Sequence, residues 1–85
     1  MSENIRVMLV DDHAVVRSGV SAFLSANPDL ERVGEAENGQ QAVARAGLVQ
    51  PDVILMDLMM PVMDGIAATQ AIKRQFPAIP IVALT

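Results

Sequence analysis

The sequence contains no cysteine, tryptophan or tyrosine, and its only aromatic residues are Phe23 and Phe76. Without cysteine there is no disulfide framework, no thiolate zinc site and no thiol nucleophile. Aromatics make up 2% of the chain and hydrophobic residues 52%, so the core has to be built from Val, Ile, Leu, Ala and Met. Positive charge is also short: six Lys and Arg stand against ten Asp and Glu, for a net charge of −4, and the basic residues form no run. That argues against nucleic-acid binding by phosphate neutralisation within this segment. No apolar run approaches the roughly 20 residues needed to span a bilayer. The opening Met1-Ser2-Glu3-Asn4 lacks the basic, then apolar, pattern of a signal peptide, so a cytoplasmic location is expected. At 85 residues the chain is one domain at most, near the small end of what one hydrophobic core supports.

What the sequence does contain is acid at the ends of apolar runs. Ile5-Arg6-Val7-Met8-Leu9-Val10 runs into Asp11-Asp12, and Val53-Ile54-Leu55-Met56 runs into Asp57. Carboxylates brought together from these positions repel one another unless a cation or proton neutralises them. A cation site at the rim of a sheet is therefore expected.

The periodicities alternate. Residues 5–10 read as a strand buried on both faces, followed by a helix with Val16, Val20, Phe23 and Leu24 inward, capped by Asp12 and ended at Asn27-Pro28-Asp29. Residues 30–36 form a second strand, whose Glu31, Arg32 and Glu35 suit a sheet edge. Asn38-Gly39 leads into a helix over 40–48 with the stripe Ala42, Val43 and Ala46. After strand 53–56 and a loop through Pro61, Asp64 is the expected N-cap of a helix carrying Ala68, Ile72 and Phe76 inward, and Gly65 allows a close approach at its start. Residues 79–85 form the fourth strand.

Strands and helices alternating at this spacing specify an α/β fold, a parallel sheet with right-handed crossovers. Ligands in such sheets collect at the carboxyl ends of the strands where the strand order reverses, and Asp11, Asp12 and Asp57 lie there if the first and third strands are neighbours. The fourth strand, Ile81-Val82-Ala83-Leu84, carries no charge or glycine to protect an edge. A truncated domain is expected, with self-association through this exposed strand.

The segments Val10-Asp11-Asp12-His13, Asp57-Leu58-Met59-Met60-Pro61-Val62-Met63-Asp64-Gly65 and Ala83-Leu84-Thr85 resemble the receiver domain of two-component response regulators. Val16-Arg17-Ser18-Gly19, Gly34-Glu35-Ala36 and Leu55-Met56-Asp57 are similar to the subfamily joined to a LuxR-type (NarL-type) helix-turn-helix domain. The resemblance implies a flavodoxin-like sheet, of which residues 1–85 hold four of five strands in the order 2-1-3-4. It implies that Asp57 accepts a phosphoryl group from a sensor histidine kinase, and that Asp11, Asp12, Asp57 and the Met59 backbone carbonyl hold Mg²⁺. Thr85 is then a hydrogen-bond donor to the phosphoryl group. DNA is contacted only through an output domain absent from this sequence, and the receiver itself is a signalling module rather than an enzyme. The resemblance also implies a lysine at the end of the fifth strand, which residues 1–85 do not include, so weak Mg²⁺ binding and poor phosphorylation are expected of residues 1–85 alone.

Three other readings compete. A haloacid-dehalogenase-like phosphatase also uses an aspartyl phosphate and Mg²⁺, but places Asp-x-Asp after the first strand, whereas Asp11 and Asp12 are adjacent. A cobalamin module would require glycine where Val16 stands. A fragment acting only by binding would need no phosphorylation. His13, the only histidine, is expected to be solvated, and Met59, Met60 and Met63 to pack the loop.

Overall fold

The computed structural model describes residues 4–60 and 65–84. Its elements run β1 (Ile5–Val10), α1 (Ala14–Ser25), β2 (Leu30–Ala36), α2 (Gly39–Val49), β3 (Val53–Met56), α3 (Gly65–Gln75) and β4 (Ile81–Ala83). The strands form one parallel sheet in the order β2-β1-β3-β4. β1 and β3 are therefore neighbours, and the reversal of strand order falls between them. The polar β2 lies at an edge, with Glu31 and Arg32 exposed.

Side chains alternate across a strand, which divides the interior in two. Met8 and Val10 of β1 and Ile54 and Met56 of β3 pack with Ala42 and Ala46 of α2 and Ala68 and Ile72 of α3. Val7 and Leu9, on the opposite face of β1, and Leu24 of α1 are buried outside that cluster. Helices thus cover both faces, but unequally. Of the stripe predicted for α1, only Leu24 is buried; Phe23 is 61% exposed and Val16 is exposed too. A helical repeat identifies which residues share a face, while burial depends on what is packed over that face. Here α1 lies chiefly against β2.

The short connections have local causes. Asn38 caps α2, its side chain accepting a hydrogen bond from Gln41 N at 2.8 Å. Gln50 ends the helix in the left-handed region at φ 47°. The Arg6 guanidinium reaches up from β1 and donates to the Gln50 and Val49 carbonyls at 2.7 and 2.8 Å. These helix-end carbonyls would otherwise lack partners.

β4 is shorter than predicted, because Pro80 has no N–H to donate and Ile79 N–H turns back to the Phe76 carbonyl. Pairing to β3 begins where Ile54 N–H donates to the Pro80 carbonyl and ends where Leu84 N–H donates to Met56. The expected roles of Pro61, Met63, Asp64 and Thr85 lie outside the described residues.

Candidate functional site

Parallel pairing sets Val10 opposite Met56, so the next residue of each strand, Asp11 and Asp57, emerges at the same rim. Both are held by main-chain hydrogen bonds that prolong the ladder. Asp11 N–H donates to the Ala36 carbonyl at 3.1 Å, and Asp57 N–H donates to the Val10 carbonyl at 2.8 Å. Both carboxylates are 4% exposed, whereas Asp12, one residue further out, is only partly buried. The predicted meeting of all three acids is therefore observed: one oxygen from each, together with a His13 ring nitrogen, lie within 4.8 Å of one another.

At such separations and an effective dielectric of about 20, each pair of ionised carboxylates repels by on the order of 3 kcal/mol. When protonated, His13 offsets part of that charge. Its Nδ1 lies 3.0 Å from Asp11 Oδ1, 3.0 Å from Asp12 Oδ1 and 4.0 Å from Asp57 Oδ2. The ring is 65% exposed, yet it is not merely solvated as predicted. The hydrogen bond to Asp11 raises its pKa above 6.5, and the Asp12 charge adds to this. Adjacency to Asp11-Asp12 was the signal in the sequence, but periodicity carries no information on where a ring at a helix start will point.

Asp12 does not cap α1. The N-cap residue is His13, which makes no side-chain cap hydrogen bond, and it is Asp11 Oδ1 that accepts from His13 N at 2.7 Å. Because the helix begins at Ala14, one residue beyond the reach assumed for a cap at Asp12, the Asp12 carboxylate stays with the other acids. Its Oδ1 is buried, and among the described residues its one polar neighbour besides the other acids is the His13 ring nitrogen at 3.0 Å. Three carboxylates converging at one rim, one of them with a buried oxygen that no main-chain N–H of the described residues reaches, suit a hard divalent cation, which takes oxygen ligands. The donor set fits such an ion.

The other wall is the segment after β3. Met59 N–H donates to Asp57 Oδ1 at 2.9 Å, fixing the carboxylate's rotation, while the Met59 side chain points outward and is 76% exposed. The α3 start presses against the same segment. Gly65 N–H donates to the Leu58 carbonyl at 3.0 Å, and a Cβ at Gly65 would stand 2.2 Å from the Asp57 carbonyl oxygen and 2.4 Å from Leu58 Cα. The close approach predicted at Gly65 is thus a contact with the main chain of Asp57 itself.

Comparison with known proteins gives a consistent result. A family model described as the response regulator receiver domain matches residues 7–85. The response regulator protein VraR of Staphylococcus aureus is 49% identical over 81 residues, covering 95% of this chain and 39% of VraR. The signal receiver domain of the putative response regulator NarL from Mycobacterium tuberculosis superposes with a TM-score of 0.89 at 34% identity, covering 95% of this chain and 65% of that one. RcsB from Salmonella enterica serovar Typhimurium, solved bound to promoter rprA in the presence of phosphomimetic BeF3−, gives 0.86 at 31% identity, covering 94% of this chain and 68% of that one. The chain spans about two fifths of the length of the curated relatives it matches.

Proposed function

The chain belongs to the response regulator receiver domain family, and on that premise we propose that Asp57 accepts a phosphoryl group from a sensor histidine kinase in a Mg²⁺-dependent reaction. The single observation that carries this reading is the buried Asp57 carboxylate, set beside Asp11 and Asp12 at the reversal of strand order. Transfer forms a bond between an Asp57 carboxylate oxygen and phosphorus as the phosphorus–nitrogen bond of the donor phosphohistidine breaks. The proton required by the departing imidazole comes from solvent. The product is an acyl phosphate at the end of a central strand.

The chain's part is positioning. β3 delivers Asp57 to the rim, Met59 N–H orients its carboxylate, and burial strips it of water. Asp11, Asp12 and Asp57, with the Met59 carbonyl, would hold Mg²⁺. When bound, the ion supplies positive charge against the phosphoryl oxygens, which three carboxylates alone would repel. Thr85, the residue after Leu84 in the sequence, is proposed to donate its hydroxyl to a phosphoryl oxygen and so report the modification.

In this reading residues 1–85 act as the receiver of a transcription regulator whose DNA contacts are made by a separate LuxR-type output domain, working in the cytoplasm. The promoter-bound state of RcsB supports that role by relationship. No helix among the described residues is long and apolar enough to cross a membrane. The test is phosphorylation by acetyl phosphate or by a kinase. Labelling that vanishes in Asp57→Ala is the expected result, and labelling that persists there refutes the assignment.

A further inference from the structure

We infer that Arg17 is a positioning residue for the acid pair, fixing the peptide that joins Asp11 to Asp12. The inference rests on the proposed cation-holding role of those acids. A parallel ladder satisfies the Asp11 N–H through Ala36, but β1 ends at Val10, so the Asp11 carbonyl lies beyond the strand. Arg17, one turn into α1, supplies its partner: Nη1 donates to Asp11 O at 2.7 Å. That carbonyl belongs to the peptide plane between the two acids. Its orientation sets the direction in which both carboxylates leave the main chain.

The guanidinium is itself anchored. A different nitrogen, Nε, lies 3.3 Å from Glu35 Oε1 on β2, and the Arg17 side chain is only 19% exposed. Glu35 is held in turn, its carboxylate by Arg32 and its carbonyl by Arg45. A planar group with several donors can hold two acceptors at fixed relative positions, which a lysine ammonium does poorly. The arrangement ties the acid-bearing turn to the neighbouring strand.

Glu35 also explains how a cation can be tolerated beside a cation site. An unpaired guanidinium near Asp11 would oppose binding of a divalent ion; paired with Glu35, its charge is offset while its geometry remains. The two possible effects of Arg17 therefore have opposite signs. If charge dominates, removing Arg17 tightens cation binding. If positioning dominates, removal weakens it, and outer-shell partners of metal ligands typically contribute 10–100-fold in affinity.

The test measures Mg²⁺ affinity by calorimetry and Mn²⁺ affinity by electron paramagnetic resonance, using the protein as its gene encodes it. Arg17→Met is expected to lose about 10-fold in affinity for both ions. Arg17→Lys and Glu35→Gln should lose affinity in the same direction. The double variant Arg17→Met/Glu35→Gln should be no weaker than Arg17→Met, because both changes break one link. Equal or tighter binding by Arg17→Met overturns the inference, as does a double variant whose losses add. If circular dichroism shows Arg17→Met unfolded, unchanged affinity in Glu35→Gln or Arg17→Lys overturns it instead. A wild-type protein that binds neither ion overturns the metal reading of the acid pocket along with the role of Arg17; normal binding that ignores Arg17 overturns the latter alone.

Discussion

Replacing Gly65 by alanine adds one methyl group where, of the glycines in the described residues, the main chain leaves least room for one. The new Cβ would meet the Asp57 carbonyl oxygen at 2.2 Å, and real contacts of this kind do not fall below 3.0 Å. Either the first turn of α3 or the Asp57–Leu58 main chain must therefore yield by about 0.8 Å, the difference between those distances. Neither is a flexible side-chain tip. Overpacking a closed site typically costs 1–3 kcal/mol, and rigid backbone on both sides places this substitution near the upper figure. For a domain of this size about 3 kcal/mol corresponds to a melting temperature lower by roughly 12–24 °C. The displaced atoms also carry Asp57, the proposed phosphoacceptor, and a shift of about 1 Å at a reacting group can cost about 100-fold in rate. Thermal unfolding followed by circular dichroism, together with the rate of labelling by acetyl phosphate, measures both effects. Gly47→Ala is the control, because its Cβ would meet only the Phe76 ring tip at 3.2 Å. A Gly65→Ala protein that melts and labels like wild type would refute the argument.

Three further outcomes follow from the same geometry. Asn38→Ala removes the hydrogen bond to Gln41 N at the start of α2 and should destabilise by about 1 kcal/mol in denaturant titration; no change would show that the cap is not formed in solution. Gly19 lies inside α1 with nothing within 4 Å of a Cβ, so Gly19→Ala should stabilise by about 0.5–1 kcal/mol, and destabilisation would contradict the openness of that face. In metal-free protein the His13 imidazole should titrate above 6.5 by nuclear magnetic resonance and fall in Asp11→Asn, because Asp11 is the chief cause of the shift. Since the folded value is raised, the associated stability is fully present below about pH 6.5 and is lost as pH rises through the folded value; a midpoint at or below 6.5 contradicts the ion pairing.

How much was legible in the sequence depended on what kind of information each feature carries. The limits of β1 and β3 coincide with apolar runs that stop at acids, since strand burial writes itself directly into composition, while the polar β2 was delimited by Asn27-Pro28-Asp29 before it and Asn38-Gly39 after it. The meeting of Asp11, Asp12 and Asp57 followed from those limits plus one topological expectation, that β1 and β3 are neighbours, and both were observed. Phe23 was misplaced because a 3.6-residue stripe names a face without saying whether anything covers it. The extent of β4 was overestimated because Pro80 and the turn at Ile79 end the pairing locally. Asp12 was assigned a cap that it does not form, and His13, solvated as expected at 65% exposure, also approaches two acids to 3.0 Å, which was not foreseen; the missing cap and those approaches both depend on where one helix begins. The tie from Arg17 to Asp11 and Glu35 joins three segments that are distant in sequence, and no local pattern announces it.

The central claim is that one particular carboxylate, Asp57, becomes the acyl phosphate. Phosphorylating the protein with acetyl phosphate and Mg²⁺, reducing it with borohydride, and sequencing the peptides by mass spectrometry reads this out at single-residue level, because reduction converts an aspartyl phosphate to homoserine. The account predicts homoserine at position 57 and intact aspartate at 11 and 12, with conversion abolished when Mg²⁺ is chelated. Homoserine at position 11 or 12, or unmodified aspartate at 57 in protein that carries phosphate, would contradict it.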